Sequence, residues 1–265
     1  MSLSLIITTY NKPDALFLVM QSISCQSILP SEVIIADDGS DKKTQKLINN
    51  FIKDFDFPVI HSWQNDIGFR AARSRNSAIS CASGEYIVLI DGDMILHYDF
   101  IKDHINSIES SFFVQGSRVL LSESATKHLL ERQKINFSFF SSGLKNRKNS
   151  LHSKVLAKIF SNKRNHLHGI KSCNMGFYRK DCLNVNGFNN DFEGWGREDS
   201  EFAVRLMNNN INRKNLHFNA IQYHLWHNEN SRELLEKNEI LLQNSITNRL
   251  IWCENGINSL EKNES

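Results

Sequence analysis

The segment IVLIDGDMI, residues 87–95, sets two aspartates on either side of one glycine at the end of an apolar run. Gly92 lets the backbone turn sharply, so the carboxylates of Asp91 and Asp93 can face one point. Hard carboxylate oxygens suit Mg²⁺ or Mn²⁺, the ions that grip nucleotide phosphates. The same triplet also suits a plain strand-to-turn junction. His224 and His227, in HLWHNEN, lie three apart and offer the neutral nitrogen ligands that would help complete a metal's shell. In DFEGWGREDSEF, residues 191–202, Gly194 and Gly196 flank Trp195, so the backbone can carry a flat ring to the apolar face of a sugar. Glu198 and Asp199 then open a helical pattern. A helix amino end favours ionised carboxylates, the form a general base needs. A core tryptophan followed by acids that only complement the helix dipole would read the same way. In ADDGS, residues 36–40, Asp37 and Asp38 follow an apolar run and can hold the polar edge of a uracil or a ribose hydroxyl. Ser40 or Asp41 can cap the next helix without them.

These residues need a frame, and the apolar pattern supplies one. Leu3–Thr9, Glu32–Asp37, Pro58–Trp63 and Glu85–Asp91 read as buried strands. Between them, Ala15–Cys25, Lys43–Phe55 and Arg70–Cys81 carry helical spacing, the first entered through Pro13. Continuous apolar strands imply a mostly parallel central sheet flanked by helices on both faces, an α/β fold. Such sheets bind ligands beyond the carboxyl ends of their strands. Thr8, Thr9, Tyr10 and Asn11 fall there, as do Asp37, Asp38, Asp91, Gly92 and Asp93. The second half differs. From Ala125 to Ile170 there are ten Lys or Arg and one acid, Glu131. Helical segments and loops laid over the sheet are expected here. A strand is expected near Asn174–Tyr178 and a helix over Asp199–Met207. Ser231–Trp252 predicts an amphipathic helix, and the last dozen residues a frayed polar tail.

Composition excludes several classes. The 265 residues allow one large α/β domain or two small ones, and a net charge of +2 names no partner. The five cysteines are scattered, which reads as reduced thiols in a cytosolic protein. There is no signal peptide and no run of 18 apolar residues, so the expectation is a cytoplasmic protein that meets any membrane-bound substrate from the cytosolic side. No nucleic-acid-reading motif accompanies the basic stretch, so no nucleic acid is expected as partner.

The four motifs, in this order, resemble the family 2 inverting glycosyltransferases of GT-A fold, over about residues 3–230. The resemblance implies a single domain over 1–230, with a nucleotide-binding half, 1–95, and an acceptor and catalytic half, 96–230. A terminal helix and tail, 231–265, would follow. SLIITTYNKPDAL, ADDGS and IGFRAARSRNSAI look like the family's nucleotide-binding part. By that likeness the strand-end Thr and Tyr residues and Asp37 contact the nucleoside, Arg70, Arg73 and Asn76 lie near the donor, and Asp91 and Asp93 bind the ion on the diphosphate. CNMGFYRKDCLNVNGFNNDFEGWGREDSEF is similar to the motif shared by β-1,4-galactosyltransferases, polypeptide N-acetylgalactosaminyltransferases and bacterial chondroitin polymerases. It implies that Trp195, with Gly196 and Asn174, borders the sugars, that Glu198 binds a sugar hydroxyl, and that Asp199 is the base. His227 matches a histidine metal ligand, and His224 falls where a second can occur.

The implied reaction is a single displacement. Asp199 takes the proton of an acceptor hydroxyl that attacks C1 of a UDP-sugar, with Mn²⁺ or Mg²⁺ on the diphosphate. The lack of a membrane anchor points to a bacterial enzyme building a surface glycan such as lipopolysaccharide, O-antigen or capsule. The basic stretch 125–170 is expected to face either a lipid-linked, anionic acceptor at the inner membrane surface or solvent. Two rivals remain. A sugar-nucleotide pyrophosphorylase would need a glycine-rich loop where this chain has TTYNKPDA. A non-catalytic sugar- or metal-binding protein would keep Trp195 but have no use for Asp199 beside a metal.

Overall fold

A computed structural model describes residues 1–135, 137–228 and 231–260. The first half alternates as expected. Strand β1 (Leu3–Thr9) leads to α1 (Pro13–Ser24), β2 (Glu32–Asp37), α2 (Lys42–Asp54), β3 (Val59–Trp63), α3 (Ala71–Cys81) and β4 (Tyr86–Asp91). Apolar runs such as Leu5–Ile7, Val33–Ile35 and Ile87–Ile90 form strands because both of their faces are covered. Burying each such side chain contributes roughly 1.5–3 kcal/mol. Leu16, Val19 and Ile48 pack from the side of α1 and α2, and Ala72, Ala78 and Ile79 of α3 pack from the other. The Asp41 carboxylate caps α2 by accepting from Thr44 N at 2.9 Å.

After β4 come β5 (Met94–Leu96), α4 (Phe100–Ser107), β6 (Phe112–Gln115), β7 (Val119–Leu120), α5 (Glu123–Arg132), α6 (Lys154–Phe160), β8 (Asn162–Lys163), β9 (Asn174–Tyr178), α7 (Arg179–Asn184), α8 (Glu198–Asn208), β10 (Asn212–Asn215), β11 (Gln222–His224) and α9 (Leu235–Thr247). The large sheet runs β3-β2-β1-β4-β9-β6-β10-β8. Its parallel half is β3 to β4. Beyond β4 it is mixed, because β9 enters antiparallel to both β4 and β6. A small second sheet, β5-β11-β7, stands beside it. The basic stretch forms α5, α6, a short 3-10 turn and loops, with Leu129 and Leu144 buried against β7 and β11.

The C-terminal segment differs from expectation. The expected helix over 231–252 is α9, which ends at Thr247. Residues beyond it pack rather than fray. Cys253 and Ile257 are buried, and Asn186 Nδ2 donates to Cys253 O at 2.7 Å. The expected boundary at residue 230 and residues 261–265 of the expected tail lie outside the described residues. Among the described residues, no helix is long and apolar enough to cross a membrane.

Candidate active site

The parallel strands end in step. Thr8 pairs with Asp91 across β1 and β4, and Thr9 with Asp37 across β1 and β2. Gly92 turns the chain at that edge: its N–H donates to Thr8 O at 2.7 Å, and a Cβ there would sit 3.0 Å from that carbonyl and 3.1 Å from Thr9 Oγ1. Asp93 follows and heads into β5. Because β5 and β11 are antiparallel with Met94 opposite His224, the small sheet brings the second-half histidines to the first-half aspartate.

Asp93 is buried, and among the described residues its Oδ1 has no hydrogen-bond partner. Around it stand His227 Nε2 at 3.3 Å, His224 Nε2 at 3.6 Å and the Lys12 ammonium at 3.1 Å. The two imidazole Nε2 atoms are 3.2 Å apart. Burial pushes His224 down to about 4, against the pull of Asp93, so the ring is neutral at pH 7. A neutral imidazole is the form that ligates a metal. His227 Nδ1 lies 2.6 Å from Asn228 O. A proton placed there leaves Nε2 to face Asp93, the usual support of a ligating histidine. One orphaned carboxylate oxygen and two convergent imidazoles fit a divalent ion such as Mn²⁺. Asp91, expected among the ligands, does not join this group. It faces the Arg75 guanidinium at 3.6 Å. Burial pushes its carboxyl up to about 6, with Arg75 opposing and Asp93 adding to the rise.

Arg75 is the residue that sequence reasoning missed. Its buried guanidinium touches Asp91, donates to Glu198 Oε1 at 3.0 Å and to Thr8 Oγ1 at 3.3 Å. One side chain of α3 thereby ties β1 and β4 to the start of α8. A signal existed: Ala71, Ala72, Arg75, Ala78 and Ile79 share the buried face at helical spacing. A lone arginine in that row needs buried carboxylates.

Glu198 and Asp199 open α8 after three left-handed residues, Gly194, Gly196 and Arg197, with φ of 70°, 102° and 78°. Asp199 Oδ1 accepts from Ser200 N at 2.7 Å. The helix amino end does not keep Asp199 low, as the sequence suggested. Burial pushes its carboxyl up to about 7, and Glu198 adds to the rise against Arg75. Trp195 is not core. It is 41% exposed, with the Arg232 guanidinium 5.2 Å from its ring centre.

Other expected contacts turn inward. Asp37 is fully buried; its oxygens accept from Ser40 N at 2.8 Å and meet His61 Nε2 at 2.9 Å, so it fastens the turn. Asp38 accepts from Arg70 N at 2.7 Å and from Gln64. Asn11 Oδ1 accepts from Asp41 N at 2.8 Å. Asn76 is fully buried and bonds Phe188 N and O. Asn174 is fully buried; its amide donates to Ser117 O and Ala220 O, and its oxygen accepts from His104 Nε2. Both are therefore joints of the scaffold. Arg70 reaches Asn65 O, Arg73 lies half-buried on α3, and Thr9 Oγ1 is buried without a partner beside Gly92. Exposed Tyr10 donates to Asp66 at 2.9 Å, which marks the loop after β3 as a further wall of the cleft. Gly39, at φ 94°, lets that loop approach: a Cβ would lie 2.6 Å from Asp66.

Residues 4–184 match the model of glycosyl transferase family 2, and residues 155–228 match the N-terminal domain of galactosyltransferase. The hyaluronan synthase of Pasteurella multocida is 27% identical over 224 residues, taking in 77% of this chain and 22% of its own. The Escherichia coli UDP-Glc:alpha-D-GlcNAc-diphosphoundecaprenol beta-1,3-glucosyltransferase WfaP is 34% identical over 107 residues, 40% of this chain and 41% of its own. S. aureus TarS 1-349, in complex with UDP-GlcNAc, matches with a TM-score of 0.66 at 17% identity, over 94% of this chain and 67% of that one. The chain thus spans about a fifth of the synthase and under half of WfaP.

Proposed function

We propose, from the premise that this chain belongs to glycosyl transferase family 2, that it moves a hexose or N-acetylhexosamine from a UDP-sugar to a glycan hydroxyl with inversion. One observation carries the reading. Asp93, His224 and His227 converge on a point, and Arg75 links the neighbouring Asp91 to Glu198, the residue before Asp199. A diphosphate site and a base therefore share one cleft.

The donor lies across the carboxyl ends of β1, β2 and β4, with its nucleoside between Tyr10 and the loop around Asp66. Asp93, His224 and His227 would hold a divalent ion, which when bound would supply positive charge beside the leaving diphosphate. Asp199, with a carboxyl near pH 7, takes the proton of the attacking hydroxyl. Glu198, fixed by Arg75, orients the acceptor sugar, and exposed Trp195 offers its ring as a platform. Oxygen–C1 bond formation on one face and C1–phosphate cleavage on the other invert the anomeric carbon.

The acceptor is a bacterial surface glycan carried on a lipid, met at the cytoplasmic face of the membrane. WfaP, whose name includes such an acceptor, supports this. The test is a screen of nucleotide sugars for UDP release with Mn²⁺. At least one donor should release UDP, and EDTA should stop it. Donor binding with no release under any condition would favour the non-catalytic binder instead.

A further inference from the structure

Beside the catalytic cleft lies a cavity of about 260 Å³. Arg118, Lys171, Arg213 and His217 line it with the amides of Asn146 and Asn149, and no Asp or Glu is among its lining residues. Arg213, on β10, is only 3% exposed. Its Nη1 donates to the carbonyls of His166 at 2.6 Å and His168 at 2.8 Å and lies 3.3 Å from His166 Nδ1, while among the described residues its Nε has no partner. Its neighbour Lys214 does pair with a carboxylate, that of Glu109 at 3.1 Å. The fold therefore places an acid near this strand but not on Arg213. Burying a guanidinium with no carboxylate beside it is costly, and a charged partner offsets that cost best. Burial pushes Arg213 down from its ordinary value, and burial with Arg164 and Arg213 does the same to His217. The lining therefore gathers three cationic side chains, Arg118, Lys171 and Arg213, with no carboxylate among them.

Its position ties it to the reaction. Arg118 donates toward Cys173 Sγ at 3.7 Å on the cavity wall, and its charge also acts on Asp91 and His224. Leu120, another lining residue, pairs with His224. Leu120 and Arg118 thus join the cavity wall to the surroundings of His224 and Asp91.

We propose that this cavity is an acceptor subsite for an anionic group, a carboxylate or a phosphate, one unit away from the sugar hydroxyl that reacts. Arg213 and Lys171 hold the anion and Arg118 separates it from the cleft. The assignment to an acceptor rests on the glycosyltransferase reading above.

Direct binding tests it without turnover. The full chain is titrated by calorimetry with glucuronate, inorganic phosphate and glucose, with UDP and Mn²⁺ present to fill the cleft. Glucuronate or phosphate should bind and glucose should not. A preference for glucuronate assigns a carboxylate, and the reverse assigns a phosphate. Lys171→Gln should weaken the anion about tenfold, the loss of one ionic hydrogen bond. Arg213→Gln should weaken it further where it folds; Lys171, being exposed, decides the matter if Arg213→Gln does not fold. Equal binding of glucose and glucuronate, no anion binding, or unchanged affinity in Lys171→Gln would overturn the subsite. Failure of the wider reading looks different: anions bind and respond to Lys171→Gln, yet no nucleotide sugar releases UDP.

Discussion

Asp199 carries two opposed demands, and both can be measured. As a base it must be ionised, and with its carboxyl near 7 the rate should fall about tenfold per pH unit as pH drops below 7. Asp199→Asn should lose roughly 10²–10⁴ in kcat while UDP affinity holds; a variant with near-normal turnover would remove Asp199 from the mechanism. The stability consequence has the opposite direction. A carboxyl raised from 3.8 to about 7 contributes stability that is complete below pH 4 and lost as pH rises through 7. Asp199→Asn should therefore melt higher than the parent at pH 8 and gain less at pH 5. Arg75 is the complementary case. Arg75→Met leaves Asp91 and Glu198 without their shared cation, and a buried ion pair broken on one side costs about 3–5 kcal/mol, read as a lower urea midpoint. The sequence displayed Asp199, Trp195 and the D-x-D because these sit at strand and helix ends with glycines beside them. It hid Arg75, whose type suits a solvated helix face as well as a buried joint. It also gave no sign that Asp37, Asn76 and Asn174 are fully buried and bonded within the scaffold, because a polar residue reads alike in sequence whether it faces a ligand or ties a turn or helix to its neighbours.

The elements that meet at the site differ in how visible they are from sequence. Strands β1 to β4 and helices α1 to α3 follow from long, strongly periodic stretches. By contrast, β5 and β11 are three residues each, too short to show a period, yet their pairing carries His224 to Asp93. That meeting could be inferred only from the chemistry of the residues. The role of α9 was equally hidden. Its amphipathic face fits any partner, but the structure lays it on α8, where Ser245 donates to Glu201 at 2.9 Å. Asn238 of α9 is fully buried and donates to Glu193 O and Gly196 O, both at 3.0 Å. This helix therefore holds the strained loop that presents Trp195. Asn238→Ala leaves two loop carbonyls unsatisfied and should cost about 1–3 kcal/mol. Its functional signature should be a raised acceptor KM with donor KM unchanged, because the loop presents Trp195, the ring proposed as the platform for the acceptor sugar. Equal effects on both substrates would show that α9 supports the whole cleft instead.

At the scale of the molecule, the parallel half of the large sheet supplies the strand-end ridge, and the small sheet β5-β11-β7 returns the histidines to it. The alternation of the first hundred residues made the parallel half legible. The antiparallel entry of β9 followed a long basic excursion with weak periodicity, so its direction was not. Asp93 lies at position 93 and its partners at 224 and 227, so ligation there closes a long loop and links the two halves of the chain. Without a metal, Lys12 provides the positive charge beside Asp93. An ion that binds the folded chain and not the unfolded one must stabilise it, by about 2.7 kcal/mol at a hundred times its dissociation constant. For a chain of this size that is roughly 5–10 °C in Tm. Mn²⁺ with UDP should produce a rise of that order in a thermal melt. His227→Ala, half-exposed and outside the core, should keep the metal-free Tm within about 1–2 °C, as surface substitutions do, while losing most of the rise. A full Mn²⁺-dependent rise in His227→Ala would mean that the ion binds elsewhere, and that the two histidines only pack beside Asp93.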